Sequence, residues 1–176
     1  GTGNGAYVVH KLLENRIPGY QVIPYHPYRT LFPPSLLFLG RFQHADLIHT
    51  TPDYAFFHAR KNIPLILTFH GYALDKFLMD FSSPLQNIHC QTDLKLFTKL
   101  ALRKADMITA VSDFTANLVK QEMKLTSYVT VIYNGVDHTV FTPGKTRKHT
   151  ETINVLFCGK LSKRKGAHWL VPIAEK

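Results

Sequence analysis

The densest run of chemically able side chains lies late in the sequence, where Lys160, Lys163, Arg164 and Lys165 stand between Gly159 and Gly166 in GKLSKRKG. An apolar run leads into it and a helix-like stretch follows, so these cations collect at one strand end. Several Lys and Arg together neutralise a diphosphate and the charge it gains on leaving. A solvated basic loop would have the same composition. At the other end of the chain Gly1, Gly3 and Gly5 precede a helix that begins at Ala6. Glycines permit a tight turn there, and free N–H groups at a positive helix end cradle phosphate. The third-glycine spacing of the dinucleotide fingerprint is missing, so a NAD site is not expected.

Other polar or small residues follow apolar runs: His49-Thr50-Thr51, His70-Gly71, Ser112-Asp113, Asn134-Gly135 and Gly159-Lys160. In an open parallel sheet ligands bind outside the carboxyl ends of the strands, and a cleft with this lining suits a sugar phosphate. Turns also need polar residues, which accounts for part of the pattern. The ten histidines include no His-Glu-x-x-His and no i, i+4 pair beside an acidic third ligand. They read as scattered surface and loop residues, and no metal site is expected.

Positioning these residues takes a regular framework, and the sequence supplies one. Five short apolar runs recur: ADLIHT at 45–50, PLILTFHG at 64–71, DMITAVSD at 106–113, YVTVIYNG at 128–135 and INVLFCG at 153–159. Such runs suit strands buried on both faces of a parallel sheet, and YQVIPYH at 20–26 is a weaker sixth. Between them fall helix-like stretches. The first, from Ala6 to Asn15, puts Ala6, Val9, Leu12 and Leu13 on one face. Thr51 and Pro52 predict the cap and first position of a helix through Arg60. A third helix is expected from Thr92 to Lys104 with Leu94, Phe97 and Ala101 on one stripe, and a fourth, capped by Ser112 or Asp113, runs to Lys124.

Strand alternating with helix predicts the α/β class and a Rossmann-like, doubly wound parallel sheet. FTPGKTRKHTET at 141–152 is polar and basic and contains Pro143 and Gly144, so it reads as a linker. The expected division is a Rossmann-like domain over 1–143, a linker over 144–152 and the opening of a second domain over 153–176. A glycine turn leading straight into a helix normally follows a strand, so the first domain is expected to lack its first strand. YRTLFPPSLLFLGRF at 28–42 crowds Leu31, Phe32, Leu36, Leu37, Phe38, Leu39 and Phe42 between Arg29 and Arg41. It fits either a segment lying among lipid headgroups or a buried helix packed on the sheet.

With 176 residues, 45% of them hydrophobic, the chain can bury a sizeable core and is no disordered tail. Its formal charge of +9 favours an anionic partner: nucleic acid, acidic lipid or a phosphorylated small molecule. No run approaches the roughly 18 to 20 apolar residues of a membrane span, and the first residues lack the layout of a secretory signal. Cys90 and Cys158 are far apart and outside any Cys-x-x-Cys, which points to a reducing, cytoplasmic setting with at most peripheral membrane contact.

Taken in order, the glycine loop and helix, ADLIHTT, IPLILTFHG, KADMITAVSDFTANLVKQ, VIYNGVDHTVFTP and INVLFCGKLSKRKG resemble the retaining, group 1 glycosyltransferases of family four, which set two Rossmann-like domains face to face in the GT-B fold. The likeness runs from Gly3 to the end, and its last three segments together form a specific signature. It implies transfer of a sugar from a nucleotide diphosphate sugar to an acceptor with retention of configuration, a hexosyltransferase-like step of carbohydrate biosynthesis. The 1–143 region would be the acceptor-side domain and 153–176 the start of the nucleotide-sugar-binding domain.

By the same resemblance His70 is the catalytic histidine near the transferred sugar. Gly3 and Gly5, with Lys160 and Lys165, would bind the donor phosphates. Ser112 and Asn134 become candidate ligand contacts, and Asn134, Gly135 and Asp137 match an NGVD turn that is mainly structural. The family carries Arg where Lys160 stands; lysine keeps the charge but loses the bidentate fork. The family's spaced pair of glutamates would fall beyond Lys176, so these residues alone are expected to be inactive. The resemblance implies no cofactor and no metal, the nucleotide sugar being a co-substrate. The partners it implies are that donor and a sugar or lipid-linked acceptor; peripheral contact with an anionic membrane is an expectation from the charge and the 28–42 segment.

Two rivals share some of these features. A nonenzymatic module that binds nucleic acid has the charge, but the eight tyrosines and twelve phenylalanines fall inside apolar runs instead of interleaving with Lys and Arg. No nucleic-acid partner is therefore expected, and a salt-sensitive gel shift would revive the idea. A GT-B epimerase or phosphorylase shares the architecture, and sequence beyond Lys176 would separate it.

Overall fold

The computed structural model describes residues 4–144 and 155–175. Helix α1 (Gly5–Arg16) opens on Asn4, whose side-chain oxygen accepts from the Tyr7 N–H at 2.8 Å. That bond satisfies one of the donors every helix start leaves free. The helix ends where the Ile17 N–H reaches the Leu13 carbonyl at 2.8 Å, ahead of Pro18 and a left-handed Gly19. Neither can continue it. No residue of α1 is fully buried, so its apolar face is only half covered.

Four strands follow: β1 (Ile48–Thr50), β2 (Leu65–Phe69), β3 (Met107–Ala110) and β4 (Thr130–Val131). All pair in parallel, in the order β1-β2-β3-β4, with Ile48 opposite Leu65, Thr68 opposite Thr109 and Ala110 opposite Val131. The Asp106 carboxylate sets the entry to this ladder by accepting from the Leu65 N–H at 2.7 Å. The helices α2 (Lys76–Met79), α3 (Pro84–His89) and α4 (Lys95–Leu102) connect β2 to β3, and α5 (Asp113–Met123) connects β3 to β4. A single π-turn over Cys90–Leu94 joins α3 to α4, so that helical run starts well before the predicted Thr92. Short helix α6 (Leu170–Ala174) lies near the end.

Register fixes which residues share a face, because paired residues of parallel strands point the same way and neighbours alternate. Leu65, Leu67 and Phe69 therefore lie with Ile108 and Ala110. Those residues form the core with Ala101 of α4 and with Ala116, Val119 and Met123 of α5. The opposite face carries His49, Ile66, Thr68 and Thr109. Consecutive crossovers stepping in one direction are right-handed, which puts α4 and α5 on one face. The second face, reached by side chains of α1, is more polar. The outcome is an α/β, Rossmann-like parallel sheet with helices.

Several expected elements take other forms. Residues 20–26 are extended but join no ladder. The predicted helix from Thr51 to Arg60 is instead a tight passage with Tyr54 at φ 58 and a 3-10 turn over Ala55–Phe57. Pro52, Tyr54, Ala55 and Phe57 are all buried, a set that no single helical stripe can turn inward. Over 28–42 two 3-10 turns, Pro27–Leu31 and Pro33–Phe38, replace the buried helix. Pro33 and Pro34 lack the N–H groups a helix interior requires. Leu36 alone in that segment is buried, while Tyr28, Leu31, Phe32, Phe38 and Phe42 stand exposed.

The strand expected at 153–159 does not form over 155–158, and no residue of 155–175 is buried. An isolated strand has no neighbour to satisfy its backbone, and none lies beside it among the described residues. Ile153, Asn154 and most of the expected linker lie outside the described residues.

Candidate active site

The carboxyl-terminal end of β2 delivers His70, and Gly71 behind it leaves the space open: a Cβ built there would meet nothing within 4 Å. The His70 Nε2 atom is buried and has no hydrogen-bond partner among the described residues. A buried polar atom without a partner costs stability, about 1–3 kcal/mol, unless function uses it. Next to it stands His10, on the inward side of α1, with ring centroids 5.5 Å apart. The His49 ring of β1 meets His10 edge-on at 4.7 Å.

Two of these imidazoles, His10 and His49, belong to a row of close polar contacts. The His10 Nδ1 and the Tyr20 hydroxyl are 2.6 Å apart, and the same hydroxyl is 2.9 Å from His49 Nδ1. His49 Nε2 is 2.6 Å from Thr68 Oγ1, which is 2.7 Å from Thr109 Oγ1. Thr109 in turn donates to the Leu67 carbonyl at 3.4 Å. The parallel register puts Thr68 beside Thr109, and its face is the one α1 approaches.

Burial drives the electrostatics. It lowers the His49 pKa to about 4, with the neighbouring His10 and His70 adding to the effect. His10 is lowered by burial, and His70 by burial and then by His10. All three imidazoles are therefore neutral near pH 7. The Tyr20 hydroxyl, pushed up to about 12 by burial, stays protonated. Among the described residues no three His, Cys, Asp or Glu are arranged to hold a metal ion.

His10, Tyr20 and His49 line a cleft of about 480 Å³ between α1, the 17–25 segment, the loop before β1 and β1 itself. Asn4, Thr50, Thr51 and Arg60 also face it. The rim is held by the Arg60 guanidinium, which donates to the carbonyls of Gln43, at 2.9 Å, and Gly40. Gly40 is required there: its φ is +60, and an added Cβ would lie 2.6 Å from Ile23 Cδ1.

Among the described residues, neither His70 nor any other predicted site residue is among those lining this cleft. Gly5 is the first residue of α1, with open space where a side chain would stand. Gly3 lies outside the described residues. Ser112 caps α5: its hydroxyl accepts from the Thr115 N–H at 3.2 Å and donates to Thr115 Oγ1 at 3.0 Å. Asn134 is exposed after β4. Asp137 accepts from the Thr139 hydroxyl at 2.6 Å, from the Thr139 N–H at 3.0 Å and from Arg16, contacts that hold its pKa below the usual range.

Lys160, Lys163, Arg164 and Lys165 are exposed; the last three form a 3-10 turn closed by a left-handed Gly166. Hydrogen bonds described for this segment are internal to it. The grouping of His10, Tyr20 and His49 was missed by sequence reasoning, which took the histidines as scattered. The available signal was His10 on the half-apolar side of the first helix together with His49 inside an apolar run.

No curated protein is significantly similar to the chain. The family model described as Glycosyltransferase Family 4 matches residues 4–140, which spans α1, all four strands and the histidine cluster. With that match over most of its length, and a parallel Rossmann-like sheet beneath it, the chain belongs to Glycosyltransferase Family 4.

Proposed function

We propose that the chain forms the acceptor-side part of a retaining, GT-B hexosyltransferase that takes its sugar from a nucleotide diphosphate donor. Residues 1–143 would be that domain, 144–152 the linker and 153–176 the opening of the donor-binding domain. The observation that carries this reading is the unpartnered His70 Nε2, buried where a parallel sheet places its ligands and beside the open space over Gly71. A neutral imidazole there offers a hydrogen bond to the sugar being transferred.

The amides that open α1, with Gly3 and Gly5, present a positive helix end to phosphate. Lys160 and Lys165 supply the cations that offset the charge developing on the leaving diphosphate. Ser112 and Asn134 stand at the ends of the third and fourth strands, where the same ligand would reach. The acceptor is a sugar or a lipid-linked one. An anionic membrane surface meets the exposed apolar side chains of 28–42, flanked by Arg29 and Arg41.

In the enzyme that contains this chain, His70→Ala is expected to lower turnover about tenfold or more while moving Tm by no more than about 2 °C. Unchanged turnover would reduce His70 to a structural residue.

A further inference from the structure

The polar row beneath α1 takes a direction once the hydroxyl hydrogen of Thr109 is assigned. Thr109 has one hydroxyl hydrogen and two acceptors in reach, the Leu67 carbonyl at 3.4 Å and Thr68 Oγ1 at 2.7 Å; the carbonyl, which has no hydrogen of its own to give, is taken as its acceptor. The hydrogen between the two threonines, 2.7 Å apart, must then come from Thr68. With its own hydrogen spent, Thr68 Oγ1 can only accept from His49, so the proton of His49 sits on Nε2, 2.6 Å distant. A neutral imidazole carries one proton, which leaves His49 Nδ1 bare and accepting from the Tyr20 hydroxyl at 2.9 Å. Tyr20 has then given its hydrogen away, and its oxygen accepts from His10 Nδ1–H at 2.6 Å.

One nitrogen remains. His10 Nε2 ends the row as a bare lone pair, on a residue that lines the cleft and stands 5.5 Å, ring to ring, from His70. The deep end of the row is a main-chain carbonyl of β2, and Thr68 and Thr109 are buried, so its direction is anchored in the core.

We propose that His10 is a ligand-binding residue of the cleft, whose Nε2 accepts a hydrogen bond from a hydroxyl of the sugar-like acceptor, and that Tyr20, His49, Thr68 and Thr109 are positioning residues that keep that nitrogen bare. This deepens the glycosyltransferase reading and rests on it for the identity of the ligand. Chains of polarised hydrogen bonds strengthen one another, so the terminal nitrogen is a better acceptor than an isolated imidazole. An orientation fixed in advance also costs the ligand less on binding. Burial keeps all three imidazoles neutral, as the count of one proton per ring requires.

Long-range proton–nitrogen correlation spectra of the protein near neutral pH read the tautomers directly. The expected pattern is a bare Nε2 on His10 and a bare Nδ1 on His49. A His10 protonated on Nε2 means that the row runs the other way, and it overturns the proposal. In the Tyr20→Phe protein His10 should lose its single tautomer while His49 keeps its Nε2–H to Thr68. Titration with methyl glucoside should shift the His10 Nε2 resonance, whereas tetrahydropyran, the same ring without hydroxyls, should not. Equal effects from both probes, or none from either, also overturn it.

In the enzyme that contains this chain, His10→Asn keeps a donor toward Tyr20 but removes the cleft acceptor. It should raise KM for the acceptor about tenfold with a smaller change in kcat, and His10→Gln, whose amide oxygen reaches the Nε2 position, should recover part of the loss. Unchanged KM in His10→Asn counts against the proposal. If His70→Ala is silent while these His10 effects appear, the His70 reading fails and this one stands; the reverse pattern fails this one alone.

Discussion

His49 uses both ring nitrogens inside the protein and has its pKa lowered to about 4, which ties stability to acidity. In the unfolded chain the same imidazole titrates near 6.5. Between those values the unfolded state holds a proton that the native state refuses, so stability falls as pH drops through the window. Below about 4 the native imidazole also protonates and the slope from this residue ends. His10 and His70, lowered as well, act in the same direction. Among the described residues the groups facing His49 are these two imidazoles and the Tyr20 and Thr68 hydroxyls, and no carboxylate there reverses the sign. Urea midpoints at pH 7.5 and 4.5 should therefore differ more for the native protein than for His49→Gln, where this titration is gone. Equal drops in the two proteins would remove His49 as the cause.

At the scale of elements, α5 depends on its first turn. Ser112 satisfies the Thr115 N–H and fixes the Thr115 hydroxyl, while Ala116 and Val119 of the same helix are buried against β3. Ser112→Ala should cost about 1 kcal/mol, the usual worth of such a cap, and lower Tm by about 2 to 4 °C in thermal melts. A variant with unchanged Tm but reduced turnover would instead assign the hydroxyl to the ligand. This helix was legible in the sequence, because a serine ahead of periodic apolar residues is a local signal. The four strands were legible for a related reason: ADLIHT, PLILTFHG, DMITAVSD and YVTVIYNG are short, mostly apolar and bounded by turn residues.

Elements decided by distant packing were not legible. Thr51 and Pro52 look like a helix start, yet the burial of Tyr54, with its hydroxyl 3.0 Å from Asp93, overrides the local preference. The run at 153–159 has strand composition, but a strand also needs a neighbour. The histidine cluster was hidden because His10, His49 and His70 lie on three different elements. They meet only once α1 lies against the face of the sheet opposite α4 and α5. His70 and Gly71 could be found from their place after an apolar run. The row from Tyr20 to Thr109 could not, since it depends on strand register.

For the molecule as a whole, the charge of +9 and the exposed aromatic and aliphatic groups of 28–42 act together. Leu31 is 82% exposed and Phe42 93%, a cost in water that an interface would relieve. Arg29 and Arg41 beside them favour anionic headgroups. Flotation should carry the protein with vesicles of phosphatidylglycerol and phosphatidylcholine, less with phosphatidylcholine alone, and less again after Leu31→Ser and Phe42→Ser together. Failure to float with either vesicle would rule out this surface as a membrane contact.

The pairing of Arg16 with Asp137 joins the last turn of α1 to the passage after β4, across 121 positions of sequence. The partners sit at the surface, where water and salt compete for both charges, so such a pair holds only loosely. Removing either charge should therefore leave the sheet and its core intact and cost only the tie between the end of α1 and the passage after β4.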